Sequence, residues 1–356
     1  MTIIDDYLSY HEKYEHEYGE RTCVLMQVGH FYEAYAVDNT KEKINHDNIY
    51  RLSDILNIQL TRKNKKIQTN SRSNPLMIGV NLFSIDKYIQ LLLNNNYTTI
   101  MIDQVSDPPE PDRKVTAIYS PGTQVNFITK GDSNNLMTLY LEANTHMSSG
   151  KTALYIGLSV IDVSTGRCTV YETFSRSDDK NYSLDEAFRF IQVHDPKEII
   201  IYKHSSIADK STHLSDAYIS SYLDLSQRVV HFKECDTILF NTNYQNQFLD
   251  KIYKNRGLLS PAEYLDLEFK RYGLLSFILV LEFAYKHNES IIRCIERPTV
   301  WDESNYLILT NNSINQLNVV AHPSMNLNCK YNSLISVINH TSTAIGKRKL
   351  KETLLN

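Results

Sequence analysis

The sequence predicts a multidomain α/β protein: a mixed α/β unit over residues 1–124, a second α/β unit over 125–289, and the beginning of an all-α segment over 290–356. Three observations carry this. The chain of 356 residues is long for one domain. Its 42% apolar and 22% charged side chains are those of a globular protein. Short strand-like apolar runs alternate with amphipathic helical stretches until residue 245, where the pattern turns helical.

Element by element, Cys23–Val28 is a short apolar run and Phe31–Ala36 alternates, so two extended segments meet at a tight bend where Gly29 supplies the unusual backbone angles. A helix is expected over Asp47–Leu56, then a strand over Ile58–Thr61, then a polar, basic, mobile loop over 62–74. Ser84 is placed to cap a helix carrying Ile85, Tyr88, Ile89 and Leu92 on one face, which Asn94-Asn-Asn96 ends before the strand Thr98–Ile102. Asp107-Pro-Pro-Glu-Pro-Asp112 can only be a loop. Pro121-Gly122 and the polar stretch Lys130–Asn135 mark a boundary.

Beyond it, Thr152–Ile161 and Cys168–Phe174 flank Ser164-Thr165-Gly166 as a hairpin. Ser183-Leu-Asp-Glu186 reads as a capping box that opens a helix with Leu184, Ala187, Phe188 and Ile191 inward. Asp195-Pro196 stops it, and Glu198–Tyr202 reads as a strand covered on both faces. Ser260-Pro-Ala-Glu263 sets cap, first-turn proline and capping acid in order for a helix running to Lys286 and buried on most sides.

The net charge of −4 excludes a uniformly basic nucleic-acid binder, so any such surface must be local. The five cysteines are scattered without metal spacing, as for reduced thiols inside a cell. The acidic N-terminus is no signal peptide, and the apolar run Gly273–Leu281 is too short to span a membrane.

Several apparent catalytic motifs fail. His11 and His16 stand five apart, so on a helix they diverge by about 140° and cannot share a metal. Ser148-Ser-Gly-Lys-Thr152 ends like a phosphate loop, but Thr145 stands where the motif needs glycine, and a strand follows where it needs a helix. No residue set indicates catalysis.

Arg62, Lys63, Lys65, Lys66 and Arg72 lie in a stretch with no acid between Asp54 and Asp86, suited either to a solvated loop or to phosphate contact. Lys347-Arg-Lys349 with Lys351 reads as an exposed helix face.

The constellation Val28-Gly-His-Phe-Tyr-Glu-Ala-Tyr35, followed by Leu56-Asn-Ile-Gln-Leu-Thr-Arg62, resembles the mismatch-recognition domain of the MutS family. The resemblance continues through Pro75-Leu-Met-Ile-Gly79, Asp86-Lys-Tyr88, Asp103-Gln-Val105, Asp107-Pro108, Arg113-Lys-Val115 and Ser120-Pro-Gly-Thr123. Asp162-Val-Ser-Thr-Gly166 is similar to the family's connector, which resembles the ribonuclease H fold, and His340–Gly346 with Lys347–Leu350 to the start of its helical core.

The resemblance implies a protein that reads mispaired or unpaired bases, or small loops, in duplex DNA. Phe31 would be the wedge and Glu33 the base-contacting acid. Arg62, Lys63, Arg113 and Lys114 would be backbone contacts. It further implies a homodimer that uses ATP and magnesium through a C-terminal ATPase domain, for which these residues contain no phosphate loop. Location is intracellular, away from membranes.

Two departures stand out. His30 replaces the family's usual aspartate, and Asn81-Leu82-Phe83 replaces its proline-tyrosine-histidine. Two rival readings follow: a structural or recombination relative that does not read mispairs, against which Phe31 and Glu33 argue, and a nuclease on residues 136–240. The nuclease reading needs acids converging on two metals, and Asp162, Asp185 and Glu186 are too few.

Overall fold

In the computed structural model, β1 (Thr22–Val28) and β2 (Phe31–Asp38) form the hairpin that organises the first half of the chain, with Val28 paired to Phe31 across Gly29-His30. Gly29 has φ +61°, the left-handed region that a two-residue turn with glycine at its first position requires. The described residues are 2–106, 111–124, 134–145, 152–175, 179–204, 214–226, 228–254, 257–301, 313, 316–319 and 331–355. Contacts divide the chain into two compact units, Met1–Phe127 with Lys286–Asn288, and Ile128–Tyr285 with Glu289–Asn356.

The first unit is built on a sheet in the order β4-β5-β2-β1-β6-β7, with β3 (Lys43–Ile44) appended to β2. Here β4 is Thr61–Arg62, β5 Leu76–Asn81, β6 Thr98–Gln104 and β7 Arg113–Tyr119. Among the described strands of this sheet, β1 and β6 are the one parallel pair. Cys23, Val24, Leu25 and Met26 are all buried, so β1 is covered on both faces and reads as an apolar run instead of alternating.

Helix α1 (Ile3–Tyr18) packs on the face carrying Tyr35: Tyr7 meets the Tyr35 ring edge-on at 5.1 Å and donates its hydroxyl to the Val24 carbonyl at 3.1 Å. Helices α2 (His46–Leu56) and α3 (Ile85–Asn94) pack over β2, β5 and β6. In α1, His11 is buried and His16 exposed, so the two histidines do diverge.

The second unit carries a mixed sheet in the order β12-β11-β8-β9-β10-β13. β8 (Asn135–Thr145), β9 (Thr152–Asp162) and β10 (Cys168–Phe174) are antiparallel. β11 (Glu198–Lys203) lies parallel to both β8 and β12 (Val229–Glu234), which is why it is nearly all apolar. The two-residue β13 (Thr299–Val300) closes the edge beside β10. The core gathers Leu139, Ile156 and Leu158 with Phe188, Phe190 and Ile191 of α4 (Tyr182–His194). The mixed α/β character of both units is as expected.

Several local expectations are corrected. The strand expected over Ile58–Thr61 is only Thr61–Arg62, because pairing with β5 is limited to Met77 and Leu76. The segment 62–74 is a loop but a tied one. Buried Asn74 accepts from the Asn64 amide at 2.7 Å and donates to the carbonyls of Ile67 and Thr69, both at 3.1 Å.

Ser84 makes no side-chain cap; Asn81 caps the turn before α3 by accepting from the Phe83 amide. The capping box at Ser183 is not formed, since α4 begins at Tyr182 with Asn181 at the N-cap position, and Glu186 is spent on a buried pair with Arg189 (2.9 Å) and the Tyr171 hydroxyl (2.9 Å). The box at Ser260 is present, but Asp266, with φ +57°, ends that helix at Tyr264. A separate helix runs Arg271–His287, its first amides at Tyr272 and Gly273 accepted by the Glu172 carboxylate of β10.

On the C-terminal helix Ala344–Leu355, Lys347 and Lys349 are exposed, but Lys351 is mostly buried and paired with Asp195 at 2.9 Å. Asp107–Glu110, Lys130–Ser133, Ser148–Lys151 and Cys329 lie outside the described residues. The other four cysteines are unpaired. Among the described residues no helix is long and apolar enough to cross a membrane.

Candidate nucleic-acid interface

Strand alternation decides what surrounds Phe31. Residues i and i+2 share a face, so Phe31, Glu33 and Tyr35 lie on one side of β2, and Tyr32 and Ala34 on the other. The register extends this across the sheet: Asn81, Phe31 and Val28 are in line, and Gly79, Glu33, Met26, Ile102 and Val115 form the next row. Continuing the parallel register of β1 and β6 sets Val28 beside Gln104, which pairs with Arg113.

Phe31 is 48% exposed at the turn end of the hairpin, next to Gly29-His30. Phe83, 88% exposed, stands on the short turn leaving β5 at the same end; the Leu82 amide beside it donates to the His30 carbonyl at 3.0 Å.

Tyr32, between the two candidate residues, anchors the strand. Its ring is buried and its hydroxyl donates to Asp103 at 2.6 Å, while the other Asp103 oxygen accepts from the Thr116 hydroxyl at 2.6 Å. Burial and the Asp103 carboxylate push the Tyr32 phenol pKa well up, which keeps it a donor. Gln27 braces the turn, with its amide nitrogen on the Gly29 carbonyl at 3.2 Å and its oxygen accepting from the Gln104 amide at 2.9 Å.

Glu33 is half-buried and one of its carboxylate oxygens accepts the Tyr35 hydroxyl. Sequence reasoning left Tyr35 without a role, although its two-residue spacing from Glu33 on an alternating strand was the available signal. Phe83 was read only as a departure from a family motif, and its exposure has no signature in the sequence.

The four basic candidates do not form one cluster. Arg113 shares the row of Phe31, with its guanidinium bonded to the carbonyls of Gln27 (3.2 Å) and Pro111 (3.3 Å). Lys114 is exposed opposite Asp103 and so belongs to the reverse face. Arg62 pairs with Leu76, opposite Ala36, which also sets it on the reverse face, and its Nε is buried without a hydrogen-bond partner among the described residues. Lys63 opens the basic loop and is exposed, as are Lys65 and Lys66. Arg72 is neutralised by Glu42 and by Asp5 at 3.3 Å.

In the second unit the acids named for a nuclease are each engaged apart: Asp162 with the Ser164 amide (2.9 Å), Asp185 with the Tyr222 hydroxyl (2.8 Å), and Glu186 with Arg189. Among the described residues no group of three metal-binding side chains converges.

Residues 6–127 match the family model described as MutS domain I. Over all of its length the chain is 34% identical to a DNA mismatch repair protein mutS homolog of Acanthamoeba polyphaga mimivirus, of which it covers 33%. It is 25% identical to the DNA mismatch repair protein MutS of Petrotoga mobilis, across 99% of this chain and 36% of that protein. The MutS of Clostridioides difficile is 26% identical, across 93% of this chain and 30% of its own length. The chain thus spans about a third of the length of these relatives.

Proposed function

The chain belongs to the MutS family, and on that premise we propose that its first unit recognises mispaired or unpaired bases in duplex DNA, with Phe31 as an inserted wedge and Glu33 as the acid that contacts the displaced base. The supporting observation is the half-exposed Phe31 side chain, held beside the hairpin turn by a left-handed Gly29 and a buried Tyr32 anchor. An aromatic side chain left in water on a rigid hairpin is suited to enter a base stack.

A mispaired step is poorly stacked and easily kinked, so insertion there costs least of the few kcal/mol that unstacking requires (~1–3 kcal/mol returned per stacked base). Glu33, on the same face two residues along, meets the base that Phe31 displaces. A carboxylate near DNA is unfavourable unless it is hydrogen-bonded, so it penalises duplexes that offer it no partner. Arg113 and Lys63 supply the sequence-independent phosphate contacts.

We assign residues 1–124 to recognition, 125–289 to a connector and 290–356 to the start of a helical core. For the whole protein we propose pairing of two copies and use of ATP with magnesium. Phe31→Ala tests the reading: preference for a duplex with one mispair over its matched counterpart disappears, and weak salt-sensitive binding stays.

A further inference from the structure

For Glu33 to contact a displaced base, its carboxylate must be held in one orientation. On β2 the next residue of the same face is Tyr35, whose hydroxyl donates to Oε2 of Glu33. Tyr35 cannot swing away. It is 2% exposed, its ring is held edge-on by Tyr7 at 5.1 Å, and its backbone carbonyl accepts from the Asn45 side chain at 2.8 Å.

Opposite Glu33 stands Gly79, which has no side chain; a β-carbon there would lie 3.8 Å from the Glu33 Cγ. The carboxylate therefore leans over a bare strand, tethered at one oxygen. Its other oxygen, Oε1, makes no hydrogen bond among the described residues. Burial and the neighbouring carboxylate hold the Tyr35 phenol in its protonated, donating form.

We propose that Tyr35 is a positioning residue for base discrimination: its hydroxyl holds Oε2 of Glu33 so that Oε1 is presented, as an acceptor, to the base displaced by Phe31. This rests on the recognition role proposed above. An aimed carboxylate oxygen accepts from a ring N–H and repels a ring nitrogen lone pair. The site thus favours a displaced thymine, whose N3 carries hydrogen, over a displaced cytosine, whose N3 does not.

The test measures affinities of the full chain for three duplexes: one unpaired thymine, one unpaired cytosine, and fully matched. Tyr35→Phe keeps the ring against Tyr7 and removes only the hydroxyl. It is expected to narrow the thymine-over-cytosine ratio by about tenfold while matched-duplex affinity stays constant, the size of one lost hydrogen bond to a charged group. Glu33→Asp withdraws the carboxylate from the same bond and narrows the ratio likewise. The Tyr35→Phe/Glu33→Gln double variant should narrow it no further than Glu33→Gln alone.

A Tyr35→Phe ratio equal to the parent's, with Glu33→Gln still effective, overturns the positioning role and leaves mispair recognition standing. Additive losses in the double variant overturn it too, because Tyr35 would then act independently of Glu33. A parent chain that binds all three duplexes equally overturns both this inference and the reading beneath it.

Discussion

Truncating Phe31 to alanine should separate the stability of the fold from its discrimination between duplexes. Full burial of a phenylalanine stabilises a fold by ~1.5–3 kcal/mol, and the Phe31 ring is already 48% exposed. The substitution should therefore cost ~0.8–1.5 kcal/mol of folding free energy, with the strand still held by Tyr32 and the turn by Gln27. Stacking on a displaced base is worth ~1–3 kcal/mol, which corresponds to a loss of about five- to 150-fold in the ratio of mispaired to matched affinity. Fluorescence anisotropy on the two duplexes at low and higher salt reads that ratio directly. Matched binding and its salt slope should be unchanged, because phosphate contacts do not involve the ring. An equal fall on both duplexes would refute the wedge argument, as would a ratio that survives the substitution.

Three further perturbations follow from the same geometry. Lys63→Ala, at the exposed start of the basic loop, should lower the log–log salt slope of binding by about 1 and leave the preference for mispairs intact; an unaltered slope would remove Lys63 from the interface. Burial holds His11 at a pKa of about 4 and His194 at about 3, below the ordinary 6.5, with Glu15 lying 3.5 Å from the His11 ring and His194 between Phe190 and Trp301. The folded state refuses protons that the unfolded state accepts. Each histidine's contribution is therefore complete above pH ~6.5 and falls as pH drops towards those values, by about 2 kcal/mol at pH ~5. His194→Phe should flatten the acid side of the stability curve in urea titrations, and a curve parallel to the parent's would contradict this assignment. Gly157→Ala on β9 would set a β-carbon 2.0 Å from the Tyr272 carbonyl oxygen; the shift this forces should cost ~1–3 kcal/mol, seen as a lower denaturation midpoint.

The hairpin was legible because its signals are local: an apolar run, a glycine and an alternating run within the seventeen residues Thr22–Asp38. Phe31 and Glu33 stood out through a motif, and strand alternation then set them on one face. Caps read less well. Ser84 and Ser183 sit in sequences suited to capping, yet Asn81 takes the first role and burial beside Ser175 draws Ser183 away from the second. Ser260 is only partly buried, its hydroxyl accepts from the Glu263 amide, and its capping box forms as read.

The sequence by itself determined the two α/β units, the Gly29 turn, the apolar strand β11 and the placing of an aromatic and an acid two residues apart. These depend on steric limits and on periodicities of two and 3.6, which act within a few residues. Only the tertiary structure decided that Tyr32 anchors to Asp103, that Arg62 and Lys114 fall on the reverse face, and that Arg72 is consumed by Glu42 and Asp5. Those outcomes depend on strand order and register between segments up to 71 residues apart, in the case of Tyr32 and Asp103. A local pattern carries no information about which distant partner a side chain will meet, and a register change of one residue would turn every one of these side chains to the other face.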